Sequence, residues 1–249
     1  MKKNSLTIAK AIENLDGVAS AMKIIKIELK KKGRLECCNS LEVLLKIIEK
    51  YKELSPVKKM SKNSRLSSNE VLIWWVNKYI QGYSKSKEPC SVKISKNKRD
   101  PAIEWILSCP EYKRAFALDD KKNEKVLNNI YESYNKIKGA QNIVGCLLEG
   151  FIAKHLKGWH CAWNATVKGV DFVLIDRRSV EVLQIKNSQA TENSSSAAAR
   201  KNLNIKKWFR FNTKNGSTNW TKLFNDPKVD ENKWEARFHK YVKQRIQFK

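Results

Sequence analysis

The sequence lacks the features on which several common classes of protein depend. Its 249 residues include three histidines and six cysteines, with no Cys-x-x-Cys pair to complete a zinc site. No zinc site is expected, and the cysteines are expected to be reduced and buried. No apolar run reaches transmembrane length, and the N-terminus has the charge of a signal peptide without its apolar core. We therefore predict a cytoplasmic bacterial protein that does not span a membrane.

Acidic residues are also scarce relative to basic ones. The chain has 25 Asp and Glu against 50 Lys and Arg, which gives a formal net charge of +25. A field of this size favours a polyanionic partner, most simply nucleic acid. Alternatively, the positive charge reflects only the lysine-rich composition of proteins encoded by an AT-rich genome. Residues 200–249 contain fourteen basic and four acidic residues, and Lys206, Lys207 and Arg210 alternate with aromatic residues. This segment suits contact with a phosphate backbone.

Hydrophobic residues make up 41% of the chain, enough for one large domain or two small ones. Apolar spacing predicts a mainly helical region over residues 1–138, which would shape a DNA cleft or a dimer interface. The predicted helices cover 18–31, 41–54, 67–80, 101–107 and 121–137. Gly139 is expected to open a second region, 139–249. That region would begin with a helix over 140–156 and a strand within 159–166.

Residues 169–186 predict a β-hairpin, because two apolar runs flank the polar turn Asp176-Arg177-Arg178-Ser179. A two-residue loop at Arg177 and Arg178 would set Asp171 opposite Gln184. Side chains alternate along a strand, so Gln184 and Lys186 share a face and Asp171 joins them. An acid, an amide and a lysine on otherwise apolar strands are costly to bury unless they are paired or bind a metal.

This pattern resembles the core of the PD-(D/E)XK nuclease superfamily, with Gln-x-Lys in place of the usual acid-x-Lys and Val170 in place of proline. The resemblance implies an α/β (α+β) fold, in which helices flank a mixed central sheet. It implies Mg²⁺ bound by Asp171 and the Gln184 carbonyl, and a water activated by Lys186. Glu149, on the preceding helix, is the candidate for a further metal ligand. The alternative for Lys186 is an ordinary edge-strand lysine whose ammonium group reaches solvent. The alternative for Glu149 is a solvated glutamate on the helix surface.

A second resemblance is to type II restriction endonucleases of the SinI/AvaII kind. It rests on Gln184-Ile185-Lys186-Asn187, on residues 192–196, and on residues 207–210 and 218–220. It implies cleavage of double-stranded DNA at a short site of the GG(A/T)CC class by a homodimer or by a monomer that nicks the two strands in turn. A cognate methyltransferase would act on the same site without needing to bind this protein. The candidate DNA contacts are Asn187, Ser194, Ser195, Ser196, Arg200, Lys201, Lys206, Lys207 and Arg210.

Two other functions remain open from the sequence. The same residues would serve an Mrr-like nuclease directed by methylation or by DNA structure. A basic DNA-binding protein without catalysis would explain the charge, but it leaves the acid, amide and lysine unexplained.

Overall fold

The computed structural model describes residues 5–59, 66–88, 90–91, 101–110, 123–176, 179–188 and 204–247. Its α-helices are α1 (Ile8–Glu13), α2 (Val18–Lys32), α3 (Cys38–Lys50), α4 (Ser68–Lys87), α5 (Pro101–Ser108), α6 (Asn123–His155), α7 (Trp220–Phe224) and α8 (Glu231–Arg245). Its strands are β1 (Ser5–Thr7), β2 (Val57–Lys59), β3 (Cys90–Ser91), β4 (His160–Cys161), β5 (Phe172–Ile175), β6 (Val180–Ser188), β7 (Lys206–Phe211) and β8 (Ile246–Gln247).

The helices of the first region form where the apolar spacing predicts them. Helix α3 buries Leu41, Leu44, Leu45 and Ile48 along one face. Helix α4 begins with a capping box, in which the Ser67 side chain accepts the Glu70 N–H and the Glu70 carboxylate accepts the Ser67 N–H. This cap confirms the predicted start of α4, which continues to Lys87 rather than ending near residue 80.

The predicted break at Gly139 is wrong, because the single helix α6 runs through it from Asn123 to His155. A glycine in a helix costs about 1 kcal/mol relative to alanine, which a long helix can absorb when neighbouring turns are well packed. Leu147, Leu148, Phe151 and Ile152 supply that packing in the C-terminal half of α6. The division into regions 1–138 and 139–249 stays a prediction, and its boundary falls inside this helix.

The central sheet has the order β4-β5-β6-β7, and β6 pairs antiparallel with β5 and parallel with β7. The β5–β6 register pairs Phe172 with Leu183 and Ile175 with Val180, as the hairpin prediction requires. Reciprocal backbone hydrogen bonds of 3.0 and 3.3 Å between Asp176 and Ser179 close the hairpin at the predicted turn. This mixed sheet flanked by helices confirms the predicted fold class.

The strand predicted within residues 159–166 is shorter than expected. Strand β4 covers His160 and Cys161, and a 3₁₀ turn follows at Trp163–Ala165. Asn164 and Ala165 have positive φ angles, which turn the chain onto helix α4. There the Trp75 indole N–H donates to the Thr166 carbonyl at 2.8 Å. Packing against α4 therefore ends the strand, a tertiary effect that the local sequence does not report.

One hydrophobic core extends from the N-terminal helices to the sheet and to α8. It includes Ile25, Leu44, Trp75, Phe172 and Phe238. Trp75 is fully buried and therefore belongs to the core rather than to a nucleic-acid-stacking surface. None of the helices in the described ranges combines the length and apolar character needed to cross a membrane.

Candidate active site

Asp171 lies immediately before β5, where it is bonded to both neighbouring strands. Its backbone N–H donates to the Leu183 carbonyl at 2.9 Å, and its carbonyl accepts the Ala162 N–H at 2.8 Å. Its carboxylate accepts the Ile185 N–H at 2.7 Å. The described ladder ends at Phe172–Leu183, one position before the expected pair of Asp171 with Gln184, and Asp171 contacts β6 through both its backbone N–H and its carboxylate. These bonds fix the carboxylate beside the Gln184–Lys186 segment.

Gln184 and Lys186 occupy alternate positions on β6 and therefore point to the same face of the sheet. Gln184 is 5% exposed, whereas Lys186 is half-buried at the end of the strand. The parallel neighbour β7 places Lys207 beside Gln184 and Phe209 beside Lys186. The amide is thus held inside the protein, while the lysine side chain is partly accessible to solvent.

Glu149, on the buried part of α6, is electrostatically coupled to the same residues. Burial and the Asp171 carboxylate raise the pKa of Glu149 to about 8, against a smaller lowering effect of Lys186. Burial likewise raises the pKa of Asp171 to about 6, although the Ile185 N–H and Lys186 favour its charged form. Glu149, Asp171 and Lys186 therefore interact with one another, and Gln184 lies on β6 between Leu183 and Ile185, the two residues to which Asp171 is hydrogen-bonded.

Cys161 also belongs to this cluster, although it was not among the residues predicted for the site. The thiol is buried, and burial together with Glu149 and Asp171 raises its pKa well above the ordinary value. A thiolate would add a third negative charge beside Glu149 and Asp171. Cys161 therefore lines the site as a neutral thiol. Its neighbour His160 points elsewhere, and its Nδ1 lies 3.0 Å from the Ser40 hydroxyl.

The donor set suits a hard divalent cation. The described residues contain no group of three or more His, Cys, Asp and Glu side chains able to hold a metal. Glu149 and Asp171 nevertheless offer two carboxylates, and Gln184 offers a neutral carbonyl oxygen, which are the ligand types that Mg²⁺ accepts alongside water. Burial, and for Glu149 also the Asp171 carboxylate, disfavours the charged forms and raises both pKa values, a cost that a bound cation would offset.

The predicted DNA contacts have different environments. Ser194, Ser195, Ser196, Arg200 and Lys201 lie outside the described residues. Lys206 and Lys207 are exposed, and Lys206 forms an ion pair with Glu181. Asn187 and Arg210 are bonded to each other, with 2.9 Å between Arg210 Nε and Asn187 Oδ1. Arg210 also pairs with Glu235, and the two side chains are 13% and 17% exposed, so its predicted contact with DNA stays a prediction that this partial burial does not favour.

Two glutamates of α8, Glu231 and Glu235, were not predicted from the sequence to have a role. The Glu231 carboxylate accepts hydrogen bonds from Thr218, from the Trp220 N–H and from Thr221. Glu235 accepts the Trp220 indole N–H at 3.0 Å and pairs with Arg210. The available signal was that only four acids occur among residues 200–249. Such rare acids in a basic segment are good candidates for structural ion pairs.

Fold and site together define a restriction-endonuclease-like protein, with a mixed sheet that carries an acid and a Gln-x-Lys strand beside a glutamate-bearing helix. A family model described as SinI restriction endonuclease matches residues 36–247. The chain therefore belongs to the SinI restriction endonuclease family. This finding confirms the resemblance seen in the sequence.

Two relatives support the assignment. The type II restriction enzyme Eco47I of Escherichia coli is 41% identical over 121 residues, which are 47% of this chain and 52% of that enzyme. The type II restriction enzyme SinI of Salmonella infantis is 44% identical over 98 residues, which are 38% of this chain and 43% of that enzyme. The matched part of the chain spans about half the length of each relative.

Proposed function

We propose that this protein is a type II restriction endonuclease that hydrolyses phosphodiester bonds in double-stranded DNA in the presence of Mg²⁺. The observation that carries the proposal is the electrostatic cluster of Glu149, Asp171 and Lys186, together with the buried Gln184 on the same strand as Lys186. Membership of the SinI restriction endonuclease family and the net charge of +25 support it. Neither the amide–lysine strand nor the buried carboxylates are needed by a protein that merely binds DNA.

Each residue of the cluster would have a distinct role in hydrolysis. Asp171, Glu149 and the Gln184 carbonyl would hold the metal, which supplies charge neutralisation at the phosphate and lowers the pKa of a water molecule. Lys186 would orient the attacking water and stabilise the negative charge that develops on the phosphate. Cys161 and the neighbouring apolar side chains exclude bulk water, which strengthens these interactions.

The finer parts of the proposal follow from the resemblance to SinI/AvaII-type enzymes. The target would be a short site of the GG(A/T)CC class, cut by a two-fold symmetric homodimer. A cognate methyltransferase would protect the same site in a bacterial cytoplasm. The exposed Lys206 and Lys207 of β7 would contact the phosphate backbone close to the catalytic strand.

The test is incubation of the purified protein with unmethylated plasmid and phage DNA, with Mg²⁺ or with EDTA, followed by sequencing of the new ends. Discrete Mg²⁺-dependent fragments that share one end sequence would support the proposal and give the recognition site. Cleavage of methylated DNA alone would indicate a modification-directed nuclease. DNA that stays intact in every condition would indicate a binding protein without catalysis.

A further inference from the structure

Arg210 is a buried arginine next to the catalytic strand, in a protein whose basic residues are mostly exposed. Its side chain is 13% exposed, and that of its ion-pair partner Glu235 is 17% exposed. The guanidinium also lies 5.4 Å from the Phe238 ring centroid. Burying an ion pair of this kind is rarely favourable for stability alone, so its geometry suggests a role in positioning.

The alternation of side chains shows what Arg210 holds. Gln184 and Lys186 face one side of β6, whereas Asn187 faces the other side, where Arg210 lies on β7. The Arg210 Nε donates to Asn187 Oδ1 at 2.9 Å. This bond falls between the backbone pairs Lys186–Phe209 and Ser188–Phe211. It therefore anchors the side chain of Asn187, the residue that directly follows Lys186.

Glu235 fixes the other end of this connection. Its carboxylate forms an ion pair with Arg210 and accepts a hydrogen bond from the Trp220 indole N–H at 3.0 Å. It also lies 2.9 Å from His239 Nε2. Trp220 is fully buried, and its ring centroid lies 5.5 Å from that of Phe151 on α6. Glu235 thus ties Arg210 to the aromatic core shared by α6 and α8. Helix α6 also carries Glu149. The same aromatic core therefore supports both Glu149 and the end of β6 that carries Lys186.

We infer that Arg210 is a positioning residue that, through Asn187, holds the end of β6 so that Lys186 meets Asp171 and Glu149, and that it is not a contact to DNA. The inference rests on the proposed nuclease function. A displacement of about 1 Å at a reacting group can reduce a rate by about 100-fold without weakening substrate binding. A phosphate contact has the opposite signature, because its loss weakens binding and reduces the salt dependence.

The experiment measures single-turnover cleavage at saturating enzyme, the Kd for the same duplex in Ca²⁺, and the salt dependence of that Kd. For Arg210→Ala we expect a cleavage rate about 100-fold lower, an unchanged Kd and an unchanged salt slope. Guanidinium ion at millimolar concentration should restore part of the rate. Asn187→Ala should lower the rate, and adding it to Arg210→Ala should cause little further loss, since both act through one contact.

Two variants provide controls for charge and for folding. Arg237→Ala removes an exposed arginine of α8 and should leave the cleavage rate unchanged. Arg210→Lys keeps the positive charge but lacks the guanidinium group, which contacts Asn187 and Glu235 at the same time. This variant should therefore bind DNA normally and cleave it slowly. If Arg210→Ala does not fold, Arg210→Met combined with Glu235→Gln removes both buried charges and replaces it in the assay.

The outcomes separate the inference from the proposed function. A raised Kd and a smaller salt slope for Arg210→Ala or Arg210→Lys, with a normal rate at saturation, would overturn the inference and make Arg210 a DNA contact. If the wild-type protein cleaves no DNA, the proposed function fails instead. In that case, hydrogen exchange of the Ile185–Ser188 backbone amides still tests whether the Arg210–Asn187 contact holds the end of β6. Exchange should be faster in Arg210→Lys than in Arg237→Ala, and equal exchange would contradict the inference.

Discussion

Glu149→Gln should stabilise the metal-free protein while abolishing its cleavage activity. Burial and Asp171 raise the pKa of Glu149 from 4.5 to about 8, so the folded state binds this proton more tightly than the unfolded state does. The stabilising effect of that proton is complete below pH 4.5 and is lost as the pH rises toward 8. Glutamine occupies the same volume and never ionises.

The magnitude follows from the pKa values. At pH 7.5 the difference between 4.5 and about 8 corresponds to at most about 4 kcal/mol of destabilisation by Glu149. For a chain of this size, 1 kcal/mol changes Tm by about 2–4 °C. In EDTA at pH 7.5, Glu149→Gln should therefore melt several degrees above the wild type. At pH 5 the two proteins should melt at nearly the same temperature.

The assay is thermal unfolding of both proteins from pH 5 to pH 8 in EDTA, repeated with Mg²⁺. Glu132→Gln is a matched control on the same helix, because Glu132 is exposed and its pair with Lys136 is long, at 3.8 Å. That control should change stability by less than about 0.5 kcal/mol at every pH. Added Mg²⁺ should stabilise the wild type more than Glu149→Gln. A variant less stable than the wild type at pH 7.5, or a difference independent of pH, would refute the reasoning.

Three further predictions concern the site, the DNA surface and the core. Gln184→Glu adds a second strand carboxylate, so it should lower the Mg²⁺ concentration for half-maximal cleavage about tenfold; a higher Mg²⁺ requirement in titrations would contradict a ligand role for Gln184. Lys207→Ala should weaken duplex binding and reduce the salt slope by about one, and an unchanged slope would exclude a phosphate contact. Phe151→Ala should destabilise the protein by about 3–5 kcal/mol in urea unfolding, because Phe151 packs within 5.3–5.5 Å of Trp220, Phe238 and Tyr241; a loss below 1 kcal/mol would contradict its central place in the core.

The hairpin and its catalytic residues could be predicted because their determinants are local. The alternation of apolar residues and the turn at Asp176 set the register that the structure has between Phe172 and Ile175. That register was enough to bring Gln184 and Lys186 to one face and Asp171 to their neighbourhood. Glu149 was predictable as a candidate because it is an acid in an otherwise apolar part of a helix.

The errors arise where distant packing overrides local preference. Gly139 favours a helix end by itself, but the packed turns beyond it carry α6 through. The strand after Trp159 is cut short by contacts with α4, about 90 residues earlier in the sequence. The DNA contact of Arg210 stays a prediction, but its pairing with Glu235, a partner on another element, is likewise a distant effect. None of these effects can be read from a window of neighbouring residues.

The central claim is that Lys186 acts in chemistry within a metal-dependent nuclease site. The most direct test compares wild-type protein and Lys186→Ala for Mg²⁺-dependent cleavage of one duplex, with the Kd for that duplex measured in parallel. We predict that Lys186→Ala binds the duplex with a Kd close to that of the wild type and does not cleave it. Wild-type rates of cleavage by Lys186→Ala would contradict the account.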